Sequence, residues 1–224
     1  MKDQYFGDFG DYQKVSLLRN LRAQGLEVLV HWMKTRDDGG TDGKHITYLD
    51  TPEVWGGFDP DVYAFLKSKM NSGPRSLSHI EESEYCSGIT FLGEYIENES
   101  TRKDLLERVI KSDADVVFFD PDNGIEVAST NKKNVHKYVI WAEMIEAFNA
   151  GKTVVVYQHF SRTNRENFIN EKTTEIQKRI AGPVVSIQVR HSVYFFLIQK
   201  EHRTKIMAAI AAFSSIWKNL AIVR

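Results

Sequence analysis

The chain has 224 residues, with 29 Lys and Arg against 30 Asp and Glu, and 42% hydrophobic, 12% aromatic and 26% charged residues; that composition excludes long disorder and leaves any nucleic-acid affinity to a local basic patch. The lone Cys86 excludes an internal disulfide framework and a cysteine-based zinc centre. No apolar run reaches the roughly 18 residues of a membrane span, and the opening Met1-Lys-Asp-Gln-Tyr-Phe-Gly-Asp lacks a signal core, so the chain reads as a cytoplasmic protein with no membrane partner.

In chain order, Val15, Leu17, Leu18 and Leu21 mark a helix over residues 12–25, with Asp11 as its expected N-cap and Gly25 as its stop. Residues 26–33 read as a strand, and residues 34–44 as a Gly- and Asp-rich loop long enough to be functional. Helical patterns cover 59–70, 76–84 and 100–111, the last with a start signal at Ser100, and 89–95 reads as extended. Val116 to Phe119 is short, apolar on both faces and β-branched or aromatic, as a central strand must be. A helix at 141–149, a strand at 153–157 and a polar helix at 164–180 follow, then strands at 184–189 and 193–199, an Ala-rich helix at 203–213 and a short strand at 220–223. Strands separated by helices pair in parallel, whereas the strands either side of His191 are too closely joined to be anything but antiparallel. The expected architecture is a single α/β domain over 1–224, a mixed sheet with an antiparallel C-terminal edge and helices on both faces.

Function is expected at the carboxyl ends of the strands, where open α/β sheets bind ligands. The central strand ends in Asp120-Pro121-Asp122-Asn123-Gly124-Ile125-Glu126, a cluster of acids and an amide on a loop stiffened by Pro121 and turned by Gly124. Tyr157-Gln-His-Phe-Ser-Arg162 puts His159 and Arg162 at another strand end. The segment from Gly7 to Lys14 leads into a helix whose N-terminus can hold an anion, with Asp8, Asp11 and Lys14 nearby. Asp42-Gly-Lys-His45 sets Lys44 and His45 after the long loop, where they can bind phosphate or exchange protons. Arg190 and His191 read as a solvated hairpin turn, and Lys132, Lys133, His136 and Lys137 as a short basic run that is either a solvated face or a contact to a phosphate backbone.

The segments Gly7-Asp-Phe-Gly-Asp-Tyr-Gln-Lys-Val-Ser-Leu-Leu-Arg19, Asp42-Gly-Lys-His-Ile-Thr-Tyr-Leu49 and Phe118-Phe-Asp-Pro-Asp-Asn-Gly-Ile-Glu126 resemble a family of bacterial and phage-associated proteins. Their order is in turn similar to that of ribosomal RNA adenine methyltransferases of the RlmJ kind, with the Asp-Pro element as the specific match. The resemblance implies a Rossmann-like, methyltransferase-like fold, S-adenosylmethionine as cofactor, and a nucleobase of a nucleotide or nucleic acid as substrate. Asp120 then accepts the hydrogen bond of the target amine and Pro121 orients it. Asp122 and Asn123 stand where that family has a second proline and an aromatic ring. With His159 these residues make the expected catalytic set, while Glu126 and Arg162 are the expected substrate contacts. The cofactor falls to Asp8, Asp11, Lys14, Gly40, Asp42, Lys44 and His45, with Asp37 or Asp38 on its ribose or amine, although Gly39, Gly40 and Gly43 lack a G-x-G spacing. Two alternatives stand beside this: a metal-dependent phosphodiesterase or nuclease with magnesium on Asp120, Asp122 and Glu126 and His159 as base, and a non-catalytic binding protein.

Overall fold

The computed structural model describes residues 1–36, 43–160 and 163–224. Asp8, not Asp11, caps the first helix, α1 (Phe9–Ala23), by accepting from Asp11 N at 2.9 Å. Asp11 sits one turn in and its own carboxylate receives Gly7 N at 3.0 Å, a reciprocal pairing that satisfies two donors at the helix start and begins the helix earlier than the apolar stripe alone implies. The parallel strands β1 (Val28–His31), β2 (Ile89–Leu92), β3 (Val116–Phe119) and β4 (Thr153–His159) are followed by β5 (Val184–Gln188), β6 (Ser192–Leu197) and β7 (Ile222–Val223). The remaining helices are α2 (Pro52–Trp55), α3 (Pro60–Ser72), α4 (Ser78–Glu81), α5 (Glu99–Lys111), α6 (Trp141–Asn149), α7 (Arg165–Arg179) and α8 (Arg203–Trp217). The expected helix over 76–84 is only the single turn of α4, and α5 is capped by Asn98, whose side chain takes Thr101 N at 3.0 Å, rather than by Ser100.

Among the described residues the sheet order is β2-β1-β3-β4-β6-β5-β7. β1 pairs in parallel with β2 and β3, and β3 with β4; β6 runs antiparallel to both β4 and β5, and β7 antiparallel to β5. This is a Rossmann-like α/β sheet with the antiparallel edge that the short link at His191 requires. Side chains alternate across it. Val30, Phe118 and Tyr194 face α1, α3 and α8 in one core, and Leu29, Val117, Phe119 and Phe195 face α5, α6 and α7 in the other. Each fully buried phenylalanine contributes roughly 1.5–3 kcal/mol, which is why β3 tolerates no polar residue on either side. No helix among the described residues is long and apolar enough to cross a membrane. The chain leaves β1 toward β2 on one side and reaches β3 on the other, so the order reverses between β1 and β3, where a ligand crevice is expected.

Candidate functional site

Asp120 leaves β3 still tied to the sheet, its N donating to His31 O at 3.0 Å. Its carboxylate is buried, and Oδ2 lies 2.7 Å from Lys14 Nζ. Lys14 comes from the second turn of α1, is equally buried, and sits 3.2 Å from Asp11 Oδ1 with the Tyr157 ring 4.5 Å away. Gly10 allows this approach: a Cβ there would stand 2.7 Å from the Tyr157 hydroxyl. Burial alone would strip the Lys14 proton, but Asp120 and Asp11 outweigh it and hold the ammonium well above its ordinary range. Asp11 pays for the arrangement: burial, opposed by Lys14 and assisted by Asp8 and Asp120, raises its carboxyl to about 7. Its Oδ1 has no hydrogen bond, only the Lys14 ammonium.

The rest of the acidic loop is fixed by other partners. Asp122 Oδ1 lies 2.6 Å from the Met1 ammonium and Oδ2 accepts from Thr35 Oγ1 at 2.6 Å. Burial would raise this carboxyl, yet the ammonium and the hydroxyl together hold it below its usual range. Gly124 adopts φ +88°, and a Cβ there would collide with the Gln158 carboxamide, which instead accepts from Ile125 N at 2.8 Å and donates to His159 O at 2.7 Å. Asn123 N donates to Lys137 O at 2.8 Å and Val139 N to Gly124 O at 3.0 Å. The 135–138 segment is held in turn by Arg102, which pairs with Glu143 through two 2.6 Å bonds and donates to the carbonyls of Val135 and Tyr138.

Above β3 and β4 these elements enclose a cavity of about 520 Å³. Asp8, Lys14, His45, Asp120, Asp122, Asn123 and His159, drawn from four separate segments of the sequence, all line it. Tyr5, Tyr138, Tyr157, Phe160 and Phe168 supply aromatic walls, with Gln158 and Lys172 between them. The His159 ring, solvent-exposed at the end of β4, stands edge-on to Tyr157 at 5.0 Å, and desolvation by the surrounding protein and the Lys14 charge lower its proton affinity. Such a space offers a planar ligand apolar faces, a carboxylate acceptor and an imidazole.

Other expected residues lie elsewhere. Asp11 is buried behind Lys14, and Lys44 is exposed and off the cavity wall. Glu126 is off the wall too: its Oε1 accepts from Trp141 N at 2.6 Å and caps α6. Asp37, Asp38, Gly39, Gly40, Asp42 and Arg162 lie outside the described residues. For the metal alternative, Asp120, Asp122 and Glu126 are thus each engaged by a different donor, and no group of three or more His, Cys, Asp or Glu among the described residues is arranged to hold an ion. At the carboxyl end of β1, Met1 lines the same cavity, its N donating to Met33 O at 3.0 Å, its O accepting from Thr35 N at 2.9 Å, and its Sδ 3.7 Å from Lys14 Nζ.

Arg102, Thr35, Tyr138, Phe168 and Lys172 were not expected from sequence. Phe168 and Lys172 stand four residues apart on α7, a spacing that shares one helix face but does not say what the face meets. The missing cap was legible: Ile140 before α6 has no side-chain acceptor for the first helical N–H, so a distant one was required, and Glu126 provides it. Comparison of the chain with family models, with curated proteins and with solved structures returns no match.

Proposed function

We propose that this protein takes a nucleobase, carried by a nucleotide or a nucleic acid, into the cavity beyond β3 and β4, where Asp120 accepts a hydrogen bond from an exocyclic amine, in the manner of the amino-methyltransferases its motifs resemble. The observation that carries this is the position of Asp120: a buried carboxylate, 2.7 Å from the Lys14 ammonium, at the carboxyl end of the central strand and on the wall of an aromatic cavity. A carboxylate locked in this way costs no reorganisation when it receives an N–H donor, and the tyrosine and phenylalanine rings offer faces for stacking. His159, on the same cavity wall, can accept a second hydrogen bond or a proton.

Methyl transfer is the reaction that the Asp-Pro element suggests, because aligning an amine and accepting its proton make up most of that task. Thermal unfolding of the full chain with adenosine, adenosine monophosphate, S-adenosylmethionine and S-adenosylhomocysteine, beside magnesium and manganese controls, tests the proposal. A rise in Tm with the nucleoside or nucleotide supports it, and a further rise with S-adenosylmethionine extends it to methyl transfer. Stabilisation by divalent metal alone would contradict it and favour phosphodiester chemistry.

A further inference from the structure

Beside the cavity, basic side chains collect with Asp8 as the nearby acid among the described residues. The rings of His45 and His191 stack 4.9 Å apart at 14°, one from the segment after residue 43 and the other from the turn between β5 and β6. His45 lines the cavity, and the position of its backbone is fixed by Phe9 N, which donates to His45 O at 3.0 Å. Next to His191, the Arg190 guanidinium lies over the rings of Phe9 and Trp55, at 5.7 and 5.2 Å. From the first turn of α7, Arg165 lies 5.0 Å from the ring of Phe160, which is itself a cavity wall. Neither arginine has a carboxylate partner among the described residues, in contrast to Arg19, Arg22, Arg36, Arg102, Arg108 and Arg179.

The groups sense one another. Burial, then His45, Arg190 and Arg165, disfavour a proton on His191, and Asp8 is the acid that opposes them. Two guanidinium groups resting on aromatic faces keep their N–H donors free at the ring edges, and stacked imidazoles have N–H donors of their own. An oxyanion entering here would meet several donors and relieve the mutual repulsion.

We propose that His45, His191, Arg190 and Arg165 form a phosphate subsite at the cavity mouth. It takes the phosphoryl group attached to the nucleoside whose base enters the cavity, and it rests on the nucleobase proposal only for the identity of what carries the phosphate. A nucleotide monoester and a nucleic-acid diester share this chemistry.

The test is an NMR titration of the full chain that follows the histidine imidazoles as inorganic phosphate is added, together with the affinities of adenosine, adenosine monophosphate and a short single-stranded oligonucleotide. Phosphate is expected to move the His45 and His191 signals, and the monophosphate is expected to bind about tenfold or more tighter than adenosine. That gain should vanish in Arg190→Gln. Tighter, salt-dependent binding of the oligonucleotide would assign the site to a phosphodiester, and tighter binding of the monophosphate to a monoester. Imidazole signals unmoved by phosphate in large excess, or equal affinities for adenosine and its monophosphate, would overturn the subsite while leaving the base cavity standing. Phosphate shifts without any nucleoside binding would instead uphold the subsite and sink the nucleobase proposal.

Discussion

Lys14 and Asp120, 106 residues apart in the chain, meet at 2.7 Å with 3% and 1% of their side chains exposed. Two charges so buried are tolerated only as a pair, and Asp11 draws on the same ammonium. Lys14→Met is expected to destabilise the fold by about 3–5 kcal/mol, because it leaves carboxylates buried without a cation. Adding Asp120→Asn should recover part of that loss. Urea denaturation of the two single variants and the double variant measures the coupling, and additive effects would mean that the pair is not an energetic unit.

Asp11 makes an unusual pH dependence. Its carboxyl is raised to about 7 from an ordinary 3.8, so the folded state holds its proton more tightly than the unfolded chain does. The stability it contributes is complete below about pH 4 and is lost as pH rises through about 7. Asp11→Asn should therefore flatten the fall in stability between about pH 4 and pH 7, as read by denaturation midpoints across that range. An unchanged slope would place the proton elsewhere.

His31 acts in the opposite sense. Burial at the end of β1 pushes its imidazole down to about 3, so the stability linked to it is present above the unfolded value near 6.5 and is lost as pH falls toward 3. His31→Gln should lessen acid sensitivity in that window even if it costs stability at neutral pH, and denaturation midpoints at pH 7 and pH 4 give the comparison.

Gly124 sets the turn of the acidic loop. At φ +88°, Gly124→Ala costs about 1–2 kcal/mol from backbone strain alone. It must also displace the Gln158 carboxamide and break its bond to Ile125 N. The expected loss in Tm should exceed that of Gly57→Ala, where a Cβ meets nothing within 4 Å. Equal losses would show that the loop yields without cost.

Much of this was legible in the sequence, for reasons that differ from residue to residue. Val116 to Phe119 and Trp141 to Asn149 were recognisable at their exact limits, since one is apolar on both faces and the other is periodic. That Asp120 would stand at the carboxyl edge of the sheet followed from its place after β3, and it lines the cavity there. What could not be read was pairing at long range: nothing near Lys14 announces Asp120, and Arg102 lies on an otherwise ordinary amphipathic helix although it braces Tyr138. The acids of the 120–126 loop look alike in sequence, yet one meets a lysine, one an ammonium and one a helix start. Likewise Asp11 reads as a cap until Asp8, three residues earlier, takes the position.

The central claim, that Asp120 accepts an exocyclic amine inside the aromatic cavity, is tested most directly by comparing calorimetric affinities of adenosine monophosphate and inosine monophosphate. These differ at the base edge, where an amine donor is replaced by a carbonyl. A carbonyl facing the fixed carboxylate sets two acceptors against each other, so the amine-bearing ligand should bind about tenfold tighter or more. Equal affinities, or a preference for inosine monophosphate, would contradict the role assigned to Asp120.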